Sequence, residues 1–242
     1  MTLTGKTAIV TGASSGIGEA TARRLAEGGC NVAVAARRED RLEKLAAELG
    51  DHVLPAPTDI TDPVECAALV ARAVERFGGL DILVNNAGLG LYGSITDGDP
   101  EDWRKMFEVN VLGALYATRA AARHMLEKGA GDIVFVSSIA GRRIPTPEAT
   151  VYAATKHALN AVAEGLRMDL TDRGIRSITV EPGLVRTEFP ESSHSSAEEF
   201  YANKSYTPLE AGDIASAVLY ALEQPARVSV NEILVRSTEQ TR

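Results

Sequence analysis

Cysteine is nearly missing from this chain: Cys30 and Cys66 are the only two in 242 residues. They show no motif spacing and imply no disulfide framework, so buried or neutral thiols are expected. Histidine is scarce as well. His52, His124, His157 and His194 have no ligand spacing, and no catalytic metal is expected. Positive charge is in deficit, with 25 Lys and Arg against 33 Asp and Glu and a net charge of −8. That balance argues against a nucleic acid partner, which needs a basic face for its phosphates. No apolar run approaches the roughly 18 residues of a membrane span, so no membrane contact is expected. The opening "MTLTGKTAIV" runs straight into a strand and has no signal-peptide pattern, which suits a cytoplasmic protein. Aromatics supply only 5% of the chain.

Ala, Val, Leu and Gly abound instead, and their pattern is regular. Short apolar runs at 6–11, 31–36, 52–57, 80–86, 131–138, 175–182 and 231–237 read as strands. Helix-period segments lie near 16–29, 39–50, 62–77, 99–128, 148–173 and 210–224. This alternation means repeated βαβ units. It predicts an α/β protein with a doubly wound Rossmann fold: a seven-stranded parallel sheet, helices on both faces, and one domain over residues 1–242. Pro55 and Pro57 fall in the third strand, and proline cannot donate to a ladder, so that strand should be an edge. It is the edge in the doubly wound order 3-2-1-4-5-6. The least regular region, 187–206, is polar and Ser-rich and is expected to be a variable substrate loop.

"TGASSGIG" (11–18) follows the first strand and opens the first helix. Gly12 permits the tight turn, Gly16 lets a pyrophosphate approach the backbone, and Gly18 lets the helix pack on the strand. The helix N-terminus adds free N–H groups and partial positive charge. In this strand–turn–helix setting the motif predicts dinucleotide binding. An acid that binds the adenosine ribose hydroxyls usually lies about 20 residues further on. Counting from Gly18 reaches Ala36, Arg37 and Arg38. Ala36 removes the repulsion an acid would exert on the 2′-phosphate of NADP. Arg37, with Arg38 or the hydroxyls of Ser14 and Ser15, is then placed to bind that phosphate. A solvated loop is the alternative for these arginines. NADP(H) is the expected cofactor.

Six motifs carry a family resemblance: "TGASSGIG", "NNAG" (85–88), Asn110 in "EVNVLG", "SSIAG" (137–141), "YAATK" (152–156) and "PGLVRT" (182–187). In this order and at these intervals the chain resembles the short-chain dehydrogenase/reductase family over nearly its whole length. Tyr152 and Lys156 are four residues apart on a predicted helix, one turn apart on one face. An ammonium near a phenol favours the phenolate and lowers its pKa from about 10. The pair then suits general acid/base work.

The resemblance implies the roles. Tyr152 donates the proton to a substrate carbonyl oxygen as hydride arrives. Lys156 holds the nicotinamide ribose and tunes Tyr152. Ser138 hydrogen-bonds the carbonyl oxygen, with Ser137 as the competing serine. Asn110 orients the lysine through water, or else caps or kinks a helix. The resemblance also places Asp59 at the adenine edge with Ile60 beside it. Gly12, Ser14, Ser15, Gly16, Ile17, Gly18, Asn86 and Gly88 lie along the cofactor, and Pro182, Gly183, Val185 and Thr187 line its nicotinamide half.

The ending "VSVNEILVRSTEQTR" lacks the G-x-x-x-x-V-D-G-G segment usual in 3-oxoacyl-carrier-protein reductases. "EPGLVRTEF", the Tyr-x-Asn of "FYANKSY", "AGDIASAV" and "VNEILVRSTEQ" resemble NADP-dependent 3-hydroxy acid dehydrogenases and clavulanate-type aldehyde reductases instead. The implied chemistry is hydride transfer between NADP(H) and a small polar aldehyde, ketone or hydroxy acid. A 3-oxoacyl-carrier-protein-type reductase and a non-catalytic NADP-binding sensor are the alternatives. Arg142, Arg143 and Arg186 flank the expected substrate mouth; each is either a partner for a substrate carboxylate or an ordinary surface or subunit contact. The long, Ala-rich helices near 99–128 and 148–173 permit close packing. The family habit implies a homo-oligomer, a tetramer ahead of a dimer.

Overall fold

The computed structural model describes residues 3–189 and 206–240. The chain runs β1 (Thr7–Thr11), α1 (Gly16–Glu27), β2 (Asn31–Ala36), α2 (Glu39–Leu49), β3 (Val53–Pro57), α3 (Pro63–Phe77) and β4 (Ile82–Asn85). It continues through α4 (Pro100–Phe107), α5 (Ala114–Lys128), β5 (Gly131–Val136), α6 (Thr150–Leu170) and β6 (Ile175–Pro182). The last elements are β7 (Val185–Arg186), β8 (Leu209–Glu210), α7 (Ala211–Leu222) and β9 (Glu232–Val235). Seven strands form one parallel sheet in the order β3-β2-β1-β4-β5-β6-β9. The proline-bearing strand is at the edge, where its missing N–H groups cost no ladder bond.

Alternation along each strand builds two cores. Ala8, Val10, Val32, Val34, Ile82 and Val84 face α1, α2 and α7. Ile9, Leu83, Ile133 and Phe135 face α3, α5 and α6, whose contact surface is rich in alanine. Both faces are thus apolar, as a sheet covered on both sides requires. Helix starts are set by local chemistry. Asp62 caps α3 by accepting from the N–H groups of Val64 and Glu65, with Pro63 just inside the helix. Asp99 and Pro100 do the same for α4. Cys30 and Cys66 are fully buried, and burial pushes both thiols up to about 11. No described helix is long and apolar enough to cross a membrane.

Two features depart from the sequence pattern. The helix expected over 99–128 is interrupted by a π-helical segment at Glu108–Gly113. Apolar periodicity does not register one inserted residue, and such segments tend to mark functional sites. Gly113 lets Ile60 approach here: a β-carbon on it would lie 2.7 Å from Ile60 Cδ1. Second, β7 and β8 pair in parallel as a separate two-stranded sheet. Two-residue strands have no period to read. Most of the expected substrate loop, with His194, Tyr201 and Asn203, lies outside the described residues.

A buried ion pair clamps the far edge. Arg176 on β6 donates to both carboxylate oxygens of Asp132 on β5, at 2.6 and 2.9 Å. It also donates to the carbonyls of Leu222, Gln224 and Val228, which lie at and just beyond the C-terminal end of α7. A cation there suits the helix dipole. Arg176→Met is expected to lower unfolding stability by about 3–5 kcal/mol, because it strands a buried Asp132. Urea unfolding checks this; a loss below about 1 kcal/mol would show the pair to be dispensable.

Candidate active site

The strand order reverses between β1 and β4, so the chain leaves these neighbouring strands in opposite directions and opens a crevice at their C-terminal ends.

The glycine turn forms one wall of the crevice. Gly12 and Gly16 have φ of +66° and +57°, which other residues rarely adopt. Gly18 has no room for a side chain: a β-carbon there would run into the Gly12 carbonyl and Asn86 Nδ2. Asn86 holds the turn from across the crevice. Its Nδ2 donates to the carbonyls of Thr11 and Gly12, at 3.0 and 3.3 Å. The Thr11 hydroxyl returns the link by accepting from the N–H groups of Asn86 and Ala87. Thr11 was not singled out in the sequence; its hydroxyl became meaningful only once β1 and β4 were neighbours. The Ile17 side chain is partly buried against the core face of α1.

At the adenosine end, Arg38 reaches back to the turn. Its Nε and Nη2 donate to Ser14 Oγ at 3.0 and 2.8 Å, and Nη2 donates to Ser15 Oγ at 2.7 Å. Of the two arginines, Arg38 is therefore the one joined to the serines. Arg37 is exposed and faces Asp59. The Asp59 carboxylate accepts from the Thr61 N–H and hydroxyl, at 2.9 and 2.8 Å. The Thr61 N–H is the main influence holding it below the ordinary aspartate value, and Arg37 adds to this. Ile60 is buried against Gly113. The far wall is the β6 exit. Gly183 N–H donates to the Val235 carbonyl at 2.7 Å, and Val185 is buried. Thr187 lies over Gly16, where a β-carbon would sit 3.0 Å from Thr187 Cγ2.

The four candidate catalytic side chains converge below. Ser138 ends the β5 exit; its Oγ accepts from Ala140 N–H at 3.1 Å and shares a hydrogen bond with the Tyr152 phenol. Ser137, the competing serine, turns the other way and donates to the Lys156 carbonyl. Lys156 Nζ donates to the Val136 carbonyl at 3.1 Å and lies 5.8 Å from the Tyr152 ring centroid. Asn110, 1% exposed, accepts from Leu89 N–H at 2.7 Å and donates to the Leu89 carbonyl and Thr155 Oγ1 at 2.8 and 2.9 Å. It sits inside the π-helical segment, and its side chain and the Lys156 ammonium both approach Gly88.

The electrostatics differ from the sequence expectation. Burial pushes the Tyr152 phenol up to about 12, and the Ser138 hydrogen bond only partly offsets this. Burial likewise brings Lys156 down to about 8. The ammonium was expected to lower the phenol. Here both groups are desolvated, and Lys156 is bonded to a backbone carbonyl rather than to the phenol oxygen.

Aromatic and aliphatic side chains close the site. The Tyr152 ring lies edge-on to Tyr92 and tilted against Phe189, each at 5.7 Å between centroids. Leu89, Leu91, Trp103 and Met106 complete the same cluster. Tyr92 and Phe189 sit on aperiodic loops and carried no sequence signal. The arginines of the substrate mouth separate by partner. Arg142 bonds the fully buried Glu181 through Nε at 2.6 Å and also pairs with Glu232, so it braces β5, β6 and β9. Asn160 donates to the same Glu181 at 2.8 Å. Arg186 pairs with Glu210 at 3.4 Å. Arg143 Nη2 is buried with no hydrogen-bond partner, and its guanidinium faces the Tyr206 phenol. Among the described residues no cluster of His, Cys, Asp and Glu is placed to hold a metal.

Comparison with known proteins identifies the family. The short chain dehydrogenase family pattern matches residues 6–198. An uncharacterised oxidoreductase of Staphylococcus aureus is 42% identical over 235 residues, covering 97% of this chain and 98% of its own. The closed form of a serine dehydrogenase complexed with NADP+ superposes with a TM-score of 0.89 at 34% identity, covering 95% of this chain and 94% of that one. An alcohol dehydrogenase from the archaeon Thermococcus sibiricus, complexed with 5-hydroxy-NADP, gives 0.87 at 34% identity, covering 98% of each chain.

Lys156 makes a pH prediction that needs no knowledge of the reaction. Its folded pKa of about 8 lies below the ordinary 10.5, so folding favours the uncharged amine. Its burden on stability is absent above 10.5, grows as pH falls, and is complete below about 8. The stability of Lys156→Met relative to the parent should therefore rise as pH is lowered across that window. Thermal melts across the window test it; a difference that stays constant with pH would contradict the buried-amine assignment.

Proposed function

The chain is a short chain dehydrogenase, and on that premise we propose that it is an NADP(H)-dependent oxidoreductase acting on a small polar aldehyde, ketone or hydroxy acid. The observation that carries this reading is the meeting of Ser138, Tyr152 and Lys156 in the crevice that the glycine turn also borders. The residues fit the cofactor. Gly12, Gly16 and Gly18 leave a cradle without side chains, and Ser14, Ser15 and Arg38 form a donor-rich seat at its adenosine end. Asp59 and Ile60 would flank the adenine; Asn86, Gly88, Pro182, Gly183, Val185 and Thr187 would follow the chain of groups toward the nicotinamide.

When bound, the nicotinamide supplies or accepts the hydride. The protein's own groups do the rest. In the reducing direction Tyr152, protonated throughout the physiological range, donates its phenolic proton to the carbonyl oxygen. Ser138 donates a hydrogen bond to the same oxygen and stabilises the charge developing there. Lys156 holds the nicotinamide ribose and, while charged, favours the phenolate left behind. Asn110 fixes the Leu89 backbone against α6 and so shapes the floor beside Lys156. The cluster of Tyr92, Trp103 and Phe189 excludes water from this exchange.

A serine dehydrogenase and a 3-ketoacyl-(acyl-carrier-protein) reductase are comparably similar in structure; the ending without a G-x-x-x-x-V-D-G-G segment favours the small hydroxy acid, and serine is itself a 3-hydroxy acid. Arg143 is the arginine best placed to meet its carboxylate: Arg142 and Arg186 pair with carboxylates of the chain, whereas Arg143 keeps a buried donor without an acceptor. Residues 1–242 are read as one domain. A homo-oligomer, tetramer ahead of dimer, accords with the exposed apolar side chains Phe107, Leu112 and Leu115 along α4, the π segment and α5. The complete Asn–Ser–Tyr–Lys set argues against a non-catalytic sensor.

Two tests follow from these assignments. Tyr152→Phe should abolish turnover while NADPH titration still shows binding; parental turnover in that variant would remove Tyr152 from the mechanism. A panel of carbonyl substrates with and without a carboxylate, run with NADPH and NADH, should show a marked NADPH preference. Catalytic efficiency on the acids should fall in Arg143→Ala and stay unchanged on the neutral substrates. Equal use of both cofactors, or equal loss on both substrate sets, would refute the corresponding assignment.

A further inference from the structure

The basic seat at the adenosine end already contains an anion from the chain itself. Glu188 accepts from Arg38 Nη1 at 3.0 Å and, with both carboxylate oxygens, from Arg41 Nη1 at 2.7 and 2.8 Å. Arg38 is the same side chain that donates to Ser14 and Ser15. Arg41 lies on α2 one turn beyond Arg38, on the same face. A carboxylate more than 140 residues distant in sequence is thus held where a phosphate monoester would seek its donors.

The position of Glu188 in the chain gives this contact further meaning. The residue before it, Thr187, lies over Gly16 of the cofactor turn. The residue after it, Phe189, rests on the Tyr152 ring and on Gly90, where any β-carbon would collide with the phenyl ring. Three consecutive residues therefore touch the pyrophosphate turn, the phosphate seat and the catalytic tyrosine.

We propose that Glu188 is a specificity-determining residue of the cofactor site: its carboxylate occupies part of the Arg38–Arg41 seat and competes there with the 2′-phosphate of NADP(H). This rests on the NADP(H) reading above. A carboxylate and a phosphate monoester sharing Arg38 repel each other, so an arriving 2′-phosphate takes Arg38 and leaves Glu188 to Arg41 alone. NADH carries no such phosphate and leaves the ion pairs intact. Glu188 thereby narrows the NADPH advantage that Ala36 and the arginines create. No bond is made or broken; the change is one of ion-pair partners. Because all three side chains are roughly two-fifths exposed, solvent screens the effect and keeps it moderate.

The experiment measures equilibrium binding of NADPH, NADH, 2′-AMP and 5′-AMP to the full chain and to Glu188→Gln, at low and at physiological ionic strength. Glu188→Gln should bind NADPH and 2′-AMP roughly three- to tenfold more tightly, with the gain larger at low salt. NADH and 5′-AMP should change less than about twofold. Glu188→Ala should repeat the pattern and guards against a folding or packing artefact of the amide. Unchanged or weaker NADPH binding in both variants would overturn the proposal and make Glu188 a support for Arg38. Equal tightening of NADPH and NADH would overturn it as well, by pointing to loop closure rather than charge. If the parent protein binds neither NADPH nor 2′-AMP, the NADP(H) reading itself has failed and the proposal falls with it; binding by the parent with no change in the variants overturns the proposal alone.

Discussion

Asn86 spans the crevice between β4 and the glycine turn, and the site depends on that span. The ladder between the neighbouring parallel strands β1 and β4 runs to the Val10–Val84 pair, and beyond it their crossovers leave for opposite faces. The Asn86 amide bonds the Thr11 and Gly12 carbonyls, and the Thr11 hydroxyl bonds the backbone of Asn86 and Ala87. This closed exchange fixes the glycine turn against the end of β4. It also explains Gly18 without appeal to a ligand: the space its side chain would take is filled by the Gly12 carbonyl and Asn86 itself.

A second layer of buried polar contacts holds the catalytic half. Glu181 is wholly buried at the end of β6, and Arg142 and Asn160 satisfy it from the β5 exit and from α6. These are the elements that carry Ser138, Tyr152 and Lys156. Contacts of this kind restrict how these elements pack, since any slip would leave the Glu181 charge unpaired in a poor solvent. Asn110 does the same for the floor. It bonds both backbone groups of Leu89 and the Thr155 hydroxyl, and the π-helical segment is the backbone form that accompanies this placement.

Much of this was legible in the sequence because it is periodic or local. The alternation of apolar runs and helical segments gave seven parallel strands, and Pro55 with Pro57 identified the edge. The glycine spacing, read against Ala36 to Arg38, pointed to arginines near the glycine turn, and Arg38 rather than Arg37 is the one joined to Ser14 and Ser15. Other features had no local signature. A π insertion leaves helix periodicity almost unaltered, and β7 and β8 are too short to show any period. The partners of Arg142 and Arg176, and the contact of Glu188 with α2, join residues dozens of positions apart and exist only once the sheet is assembled. The electrostatics at Tyr152 had no local signature either: spacing shows that a lysine is near, while burial sets the direction in which the phenol shifts.

The chemistry then follows from a division of labour along one crevice. Backbone and hydroxyl donors at one end suit phosphates, and an aromatic cluster at the other packs around the Tyr152 ring. Phe189 and Glu188 tie the two ends to a single short segment. The measurement that tests the central claim most directly is isotope transfer. The protein would be incubated with NADPH carrying deuterium in both positions of the reactive nicotinamide carbon and with a panel of small aldehydes and keto acids. Mass spectrometry of the products should find one deuterium on the new carbinol carbon. NADPH that is bound but never yields labelled alcohol from any of these carbonyls would contradict the account.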